Sequence, residues 1–182
     1  SVLPILKKIK GKTLHTICTK TGLSAERNRA KFGFANASTD RVSLLENNDI
    51  STIFSFEPHH LHYDTVKRSI SSKKNLFLEK PLCVSREELN KIIKLTEENK
   101  ESLPLIFIGH NRRYSSSVKY FKQLASASPM IFTMEINAGE IPNDHWIYDK
   151  NNGGDRCIAE CSHFIDLANF IVSSPIIDFI IA

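Results

Sequence analysis

The stretch Asn75-Leu76-Phe77-Leu78-Glu79-Lys80-Pro81 is an apolar run that ends abruptly at two opposite charges and a proline. Such a run is typical of a buried strand in a parallel sheet, with the charges at its carboxyl end. Ligands of open parallel sheets bind at that edge. A lysine held there loses part of its hydration, which lowers its pKa and lets it polarise a hydroxyl or carbonyl oxygen. The alternative is an ordinary hydrated lysine at a strand end.

A second informative stretch lies near the end of the chain. Gly153 and Gly154 permit a close backbone approach, and residues 159–172 then carry apolar side chains at helical spacing. Glu160, His163 and Asp166 recur every three residues, which places them along one edge of that helix. A helix can present such an edge to a cleft, although His163 is also consistent with a purely structural histidine.

The pattern between these stretches alternates strands with helices, which favours an α/β fold with a doubly wound parallel sheet. The predicted strands cover residues 13–18, 50–56, 75–80 and 104–109, and the predicted helices cover 24–33, 40–47, 60–71 and 115–126, with another beginning at the capping pair Ser85 and Glu88. A second sheet is predicted to begin over 130–138, and 176–181 resembles a further strand. We therefore divide the chain into a dinucleotide-binding domain over 1–126 and the start of an α+β domain, with a mixed or antiparallel sheet, over 127–182.

The composition indicates a globular cytoplasmic protein. The chain has 182 residues, 41% of them apolar, and a formal charge of +4 spread over helices that also carry glutamates, so nucleic-acid binding is not indicated. No apolar run is long enough to cross a membrane. The four cysteines have no framework spacing and are predicted to be reduced. Cys157, Cys161 and His163 match no common zinc spacing, so no metal site is predicted.

Four motifs in order resemble the Gfo/Idh/MocA family of nicotinamide-dependent sugar and cyclitol oxidoreductases. They are Ile53-Phe54-Ser55-Phe56-Glu57-Pro58 with His62, then Glu79-Lys80-Pro81, then Gly109-His110-Asn111-Arg112-Arg113-Tyr114, and last Gly153-Gly154 with His163 and Asp166. The stretches 137–147 and 160–166 are most similar to a subgroup often fused behind a zinc-alcohol-dehydrogenase-like domain. The resemblance covers nearly the whole chain, and it implies a Rossmann-type fold followed by a substrate domain.

The resemblance also implies roles for individual residues. Hydride loss from a secondary alcohol requires that the hydroxyl proton leave as well, so the site needs a base and a cation near the oxygen. His163 suits the base and Lys80 the cation, with shared or reversed roles left open because the two groups are coupled. The Lys80–Pro81 bond is a candidate for the cis form. The residues expected to bind cofactor are Thr19, Lys20, Ser55, Phe56, Pro58, His62, Glu79 and Lys80, and those expected to bind substrate are Arg113, Asp144, Trp146 and Glu160.

The end of the strand over 13–18 bears on the choice of cofactor. An acidic residue there would bind the adenosine ribose and repel a 2′-phosphate, but the chain reads Cys18-Thr19-Lys20-Thr21. This sequence tolerates NADP, which Lys20 would favour if it paired the phosphate. NAD remains an alternative, as does a solvated role for Lys20.

Two departures from the family pattern lead to further expectations. Family members open with a strand and a glycine-rich turn, and neither precedes Ser1, so the chain is expected to be a fragment. The family's usual aspartate four residues before the histidine is replaced by Ala159, and Glu160 is the candidate substitute. The alternatives to an active enzyme are a dinucleotide-binding regulatory sensor and an inactive truncated product. The full-length protein is expected to be a homo-oligomer that acts on a small sugar-type substrate.

Overall fold

The computed structural model describes residues 2–125, 130–149 and 152–180. Its strands are β1 (Thr16–Cys18), β2 (Asn36–Ser38), β3 (Thr52–Ser55), β4 (Asn75–Leu78) and β5 (Ile106–Ile108). Its helices are α1 (Leu3–Lys8), α2 (Gly22–Phe32), α3 (Arg41–Glu46), α4 (His62–Ser71), α5 (Arg86–Glu98), α6 (Ser116–Ala125) and α7 (Ser162–Val172). Short 3₁₀ turns cover His59–Leu61, Lys100–Ser102, Asn111–Tyr114 and Trp146–Tyr148, and a π turn covers Cys157–Cys161.

All the strand pairs are parallel. β1 pairs with β2, while β3, β4 and β5 lie side by side in that order. No hydrogen-bonded strand joins these two sheets within the described residues. Parallel neighbours require crossover connections, and here the crossovers contain helices. The Rossmann-type α/β arrangement predicted from the sequence is confirmed.

The main core lies on one face of β3 and β4. Alternate residues point to opposite faces of a strand, so Leu76 and Leu78 are buried while Phe77 between them faces the other way. The buried face packs with α4 and α5 through apolar side chains, namely Leu45, Ile50, Ile53, Val66, Ile70, Leu76, Leu78 and Ile92. On the opposite face, the Phe77 ring stacks between those of Phe54 and Phe107, with centroids 5.5 and 5.3 Å away.

Three segments differ from the sequence prediction. β2 was not predicted, because it has three residues and none of the apolar alternation that marks a half-buried strand. Residues 130–138 form no strand in the structure, contrary to prediction, and 176–180 form none either. A strand needs a neighbour for its hydrogen-bond ladder, and no described segment pairs with these residues. The predicted domain boundary near 126–129 lies outside the described residues.

The N-terminus of α5 has the capping pair that the sequence predicts. The Ser85 hydroxyl accepts a hydrogen bond from the Glu88 backbone N–H at 3.1 Å. The Glu88 carboxylate accepts in return from the N–H of Val84, one residue before the cap, at 3.0 Å. These bonds satisfy amide groups that the first helical turn leaves without partners.

We expect Ser85→Ala to lower the free energy of unfolding by about 1 kcal/mol, the usual cost of losing such a cap. Urea denaturation followed by circular dichroism measures this change. Ser71→Ala is the matched control, because Ser71 is an exposed serine at the C-terminal end of α4, where it does not cap a helix N-terminus. Equal stability losses in the two variants would contradict a capping role.

Candidate active site

The carboxyl ends of β3 and β4 lie side by side, because Ser55 is opposite Leu78 in the parallel ladder. The residues that follow these strand ends line a cleft of about 650 Å³. Its walls are Phe56, Glu57, Pro58, His59, His60, Glu79, Lys80, Trp146 and Asn152. The cleft therefore brings together five predicted site residues, namely Phe56, Pro58, Glu79, Lys80 and Trp146. The Lys80–Pro81 peptide is cis, as predicted.

The Lys80 side chain is half-buried and extends toward the last part of the chain. Its Nζ donates a hydrogen bond of 2.6 Å to the backbone oxygen of Ala159. Burial lowers the pKa of Lys80, although the carboxylates of Glu79 and Glu160 oppose this shift. A lysine ammonium has three N–H donors, so two remain for other groups. The acceptor is an uncharged carbonyl, and the ammonium charge is therefore not neutralised by a direct ion pair.

The partner of Lys80 lies in the π turn that precedes α7. Turns of this kind interrupt α-helices at many functional sites. The methyl group of Ala159 is buried, while the neighbouring Glu160 pairs with Arg156 at 3.0 Å. Glu160 thus has its direct contact with Arg156, and it acts on Lys80 only through its charge.

His163, in the first turn of α7, is not among the residues that line the cleft, but the charge of Lys80 acts on its ring. Burial, together with the positive charges of Lys80 and Arg112, lowers the pKa of His163 to about 4. Its ring meets that of His110 edge to face, with centroids 5.6 Å apart. The Nδ1 atoms of both histidines are buried and have no hydrogen-bond partner among the described residues. His163 is therefore neutral at pH 7 and has a ring nitrogen without a partner.

Arg113 anchors the 3₁₀ turn after β5 to α7. Its Nε donates to the Asp166 carboxylate at 2.9 Å, and a second guanidinium nitrogen contacts the other carboxylate oxygen. The Phe170 ring lies under the same guanidinium. Both charged ends of this pair are satisfied, so Arg113 holds α7 in position and its guanidinium does not face the cleft as an unpaired group.

The other two residues predicted to contact substrate have different positions. The Trp146 ring lies in the cleft, edge to face with that of His59 at 4.9 Å. Asp144 is exposed and does not line the cleft.

Two of the predicted cofactor residues, His62 and Ser55, are buried and do not line the cleft. His62 is completely buried, with Nδ1 2.5 Å from the Pro81 oxygen and Nε2 3.0 Å from the Glu57 oxygen. It links the chain after β3 to the chain after β4. The hydroxyl of Ser55 donates to the Glu57 carboxylate at 2.9 Å and does not point into the cleft as a free group.

Sequence reasoning missed the polar network around Glu57. Arg41 donates to Glu57 at 2.6 Å and to Asp64 at 2.7 Å, and it also donates to Thr65 at 2.7 Å. Thr65 contacts Glu57 as well. The only sequence signal was an acidic residue at a strand end, and nothing local identified an arginine 16 positions earlier as its partner.

Thr19 and Lys20 lie at the carboxyl end of β1, in the other sheet. The Thr19 hydroxyl donates to the Thr21 oxygen at 2.9 Å, and Lys20 is exposed. Neither residue lines the cleft. The predicted cofactor residues thus fall into two groups, one at each parallel sheet.

The two glycines hold the last part of the chain against this cleft. His59 Nδ1 lies 3.0 Å from the Gly153 oxygen. A methyl group on Gly153 would lie 2.4 Å from the Ile147 oxygen, and one on Gly154 would lie 2.9 Å from the side chain of Val84. Gly154 also has a positive φ of 79°. The close approach predicted from this glycine pair is confirmed.

A comparison with known protein families identifies the chain. Residues 2–107 match the family described as Gfo/Idh/MocA oxidoreductases with an NAD-binding Rossmann fold. The chain belongs to this family. The match includes the first two motifs of the resemblance, Ile53 to His62 and Glu79-Lys80-Pro81, and with them most of the residues that line the cleft.

Individual relatives agree with this assignment. The chain is 26% identical over 157 residues to levoglucosan dehydrogenase of Pseudarthrobacter phenanthrenivorans, covering 82% of this chain and 40% of that protein. It is 26% identical over 118 residues to myo-inositol 2-dehydrogenase of Thermotoga maritima, covering 65% and 34%. The chain thus spans well under half the length of these family members.

Solved structures share the fold. A probable dehydrogenase from Thermotoga maritima aligns with a TM-score of 0.75 at 18% identity, over 96% of this chain and 52% of that one. Levoglucosan dehydrogenase in complex with NADH and levoglucosan aligns with a TM-score of 0.68 at 19% identity, over 93% and 48%.

No described helix combines the length and apolarity needed to cross a bilayer. The described residues contain no cluster of three or more potential metal ligands from histidine, cysteine, aspartate and glutamate.

Proposed function

We propose that this chain is part of an oxidoreductase that transfers a hydride between a secondary alcohol of a sugar, cyclitol or nucleotide-sugar and NAD(P). The observation that carries the proposal is the Lys80 ammonium, which is held at the end of β4 within electrostatic reach of a neutral His163. Family membership supports the class of reaction, and the curated relatives include dehydrogenases named for levoglucosan and inositol.

The residues at the strand ends fit a nicotinamide cofactor. Gly109 lies so close to Glu79 that a methyl group on Gly109 would be 3.2 Å from the Glu79 carboxylate, so the ends of β4 and β5 pack together without a side chain at this position. Phe56, Pro58 and Glu79 would hold the nicotinamide end, while Thr19 and Lys20 would lie near the adenosine ribose. The bound cofactor supplies a carbon that accepts or returns a hydride. The absence of an acidic residue after Cys18 leaves both NAD and NADP as candidates.

Lys80 and His163 would handle the proton. As the alcohol is oxidised, its C–H electrons leave as hydride and its O–H proton must pass to a base. The neutral ring of His163 can accept this proton on a ring nitrogen. The two remaining N–H donors of Lys80 can stabilise the negative charge that develops on the oxygen. In the reverse direction, protonated His163 returns the proton to the oxygen.

Cofactor binding and turnover together test the proposal. The full-length protein is titrated with NADH and NADPH by fluorescence and then assayed at 340 nm with inositols, levoglucosan and common hexoses in the presence of NAD⁺ or NADP⁺. We expect tight binding of one cofactor and turnover of at least one alcohol. Binding without turnover of any alcohol would instead favour the regulatory sensor, which the alanine at position 159 also allows.

The pH dependence follows from His163. Because only the neutral ring can accept a proton, kcat/KM for alcohol oxidation should fall as the pH drops through about 4, well below the ordinary histidine value of 6.5. Arg112 contributes to this low pKa, so Arg112→Gln should move the acid limb to higher pH. Initial rates from pH 3.5 to 8 measure both effects. A wild-type midpoint near 6.5 would contradict the proposed environment of His163.

The quaternary structure of the full-length protein is a separate proposal. We propose a homo-oligomer on the basis of family resemblance, and light scattering coupled to size-exclusion chromatography tests it.

A further inference from the structure

Arg112 does not line the cleft, but its charge acts on both Lys80 and His163. It lies in the 3₁₀ turn after β5, and its guanidinium carbon is 4.5 Å from the centroid of the Phe164 ring. Phe164 directly follows His163 in α7. A guanidinium stacked on an aromatic ring is held in place by its face, while the N–H groups at its edge remain able to donate. Arg112 is exposed, so these donors can be reached from outside.

The charges around Arg112 do not balance. Asp166 pairs with Arg113, and Glu160 pairs with Arg156. Lys80 donates to a carbonyl oxygen, and none of the ion pairs among the described residues includes Arg112. Two carboxylates line the cleft. Glu57 pairs with Arg41, whereas Glu79 has no ion pair among the described residues. Lys80 and Arg112 thus contribute two positive charges against one negative charge.

Arg112 also lies close to the proposed reacting groups. Its charge contributes to the lowered pKa of His163 and of Lys80, so it acts on both groups electrostatically. The rings of His110 and His163 meet edge to face, with centroids 5.6 Å apart, and His163 is followed directly by Phe164, on which Arg112 is stacked.

We propose that Arg112, seated on Phe164, binds an anionic oxygen group of the substrate, so that the site selects a sugar or cyclitol bearing a carboxylate or phosphate. This inference rests on the proposed function and adds a substrate class to it. A guanidinium edge matches the two oxygens of a carboxylate, and hydrogen bonds between charged groups are stronger than neutral ones. The sequence suggested that Arg113 contacts substrate, but Arg113 is paired with Asp166. We therefore assign the contact with substrate to its neighbour Arg112.

The test compares neutral probes with anionic probes that share the same ring. Dissociation constants of glucose, glucuronate and glucose 6-phosphate, together with those of myo-inositol and an inositol monophosphate, are measured for the full-length protein saturated with NADH. We expect at least one anionic probe to bind about tenfold or more tightly than its neutral counterpart. Comparison of glucuronate with glucose 6-phosphate distinguishes a carboxylate site from a phosphate site.

Variants identify the residue responsible. Arg112→Gln should weaken binding of the preferred anionic probe about 10- to 100-fold and that of its neutral counterpart by less than about twofold, because only the charged hydrogen bonds are lost. Arg112→Lys should lie between, since it keeps the charge but loses the planar edge. Arg27→Gln is the matched control, because Arg27 is exposed on α2 away from the cleft. Phe164→Leu should also reduce the preference while leaving NADH affinity unchanged.

Two results would overturn the proposal. One is the absence of any anionic preference in the wild type, and the other is an equal loss of anionic and neutral binding in Arg112→Gln. These results separate the Arg112 proposal from the proposed function. An anionic preference without hydride transfer would support the Arg112 site and reject the oxidoreductase activity. Hydride transfer without an anionic preference would support the oxidoreductase activity and reject the Arg112 site.

Discussion

Lys80→Met is expected to reduce hydride transfer by a factor of about 10³ while NADH affinity changes by less than about threefold. Methionine has nearly the length of lysine but neither charge nor N–H donors. The variant loses the hydrogen bond from Nζ to Ala159 and the donors proposed to stabilise the alkoxide. Because the residues that shape the strand ends are unchanged, the cofactor should still bind. Single-turnover absorbance at 340 nm measures the chemical step, and fluorescence titration measures affinity.

Lys67→Met is the matched control for Lys80→Met, because Lys67 is exposed on α4. Its activity should equal that of the wild type. Lys80→Arg should also be nearly inactive, since arginine keeps the charge but its larger planar guanidinium cannot take the position of Nζ beside the Ala159 oxygen. Retention of more than about a tenth of wild-type activity in Lys80→Met would remove Lys80 from the chemical step, given the 10²–10⁴-fold effects typical of such groups.

Gly153→Ala is expected to destabilise the protein by about 2–3 kcal/mol, at the upper end for overpacking. The new methyl group would lie 2.4 Å from the Ile147 oxygen and 2.5 Å from its Cα, and both are backbone atoms. No side-chain rotation relieves such a clash, so the backbone must move. That movement would also disturb the contact between His59 and the Gly153 oxygen, and cofactor affinity should fall with stability.

Urea unfolding followed by circular dichroism measures the effect of Gly153→Ala. Gly22→Ala is the matched control, because Gly22 has no atom within 4 Å of an added methyl group and no positive φ. Gly154→Ala should resemble Gly153→Ala, since it combines a 2.9 Å contact to Val84 with a φ of 79°. A Gly153→Ala protein as stable as Gly22→Ala would show that the close approach is not required for folding.

The structural features that the sequence predicted correctly depend on local patterns. The apolar run of β4 stops at Glu79, so the sequence itself marks the end of the strand. Parallel sheets bind ligands at that edge. The glycine pair signalled a close approach because glycine alone has no Cβ. The capping pair at Ser85 and Glu88 is equally local. Each of these features is determined by a few consecutive residues.

The parts that sequence missed depend on contacts between distant segments. Arg41 binds Glu57, which is 16 residues away in sequence. The rings of His59 and Trp146 are in contact only because distant parts of the chain pack together at the cleft. The pairing of Arg113 with Asp166 was missed for the same reason, and Arg113 was instead expected to contact substrate. Charged residues far apart in sequence show no periodicity that would reveal their partners.

The predicted second sheet shows a different limit of sequence reasoning. Residues 130–138 have the composition of a strand, but the ladder that defines a strand requires a neighbour. No described residues provide one. The division at 126–127 therefore stays a prediction, and limited proteolysis of the full-length protein tests it.

The most direct test of the account is a single-turnover experiment on the full-length protein. Wild type, Lys80→Met and His163→Ala, each saturated with oxidised cofactor, are mixed with the alcohol that the substrate screen identifies. We predict that the wild type forms about one reduced nicotinamide per site, while both variants form it at least about 10² times more slowly. Reduction at the wild-type rate in both variants would contradict the proposed roles of His163 as the base and of Lys80 as the cation that stabilises the alkoxide.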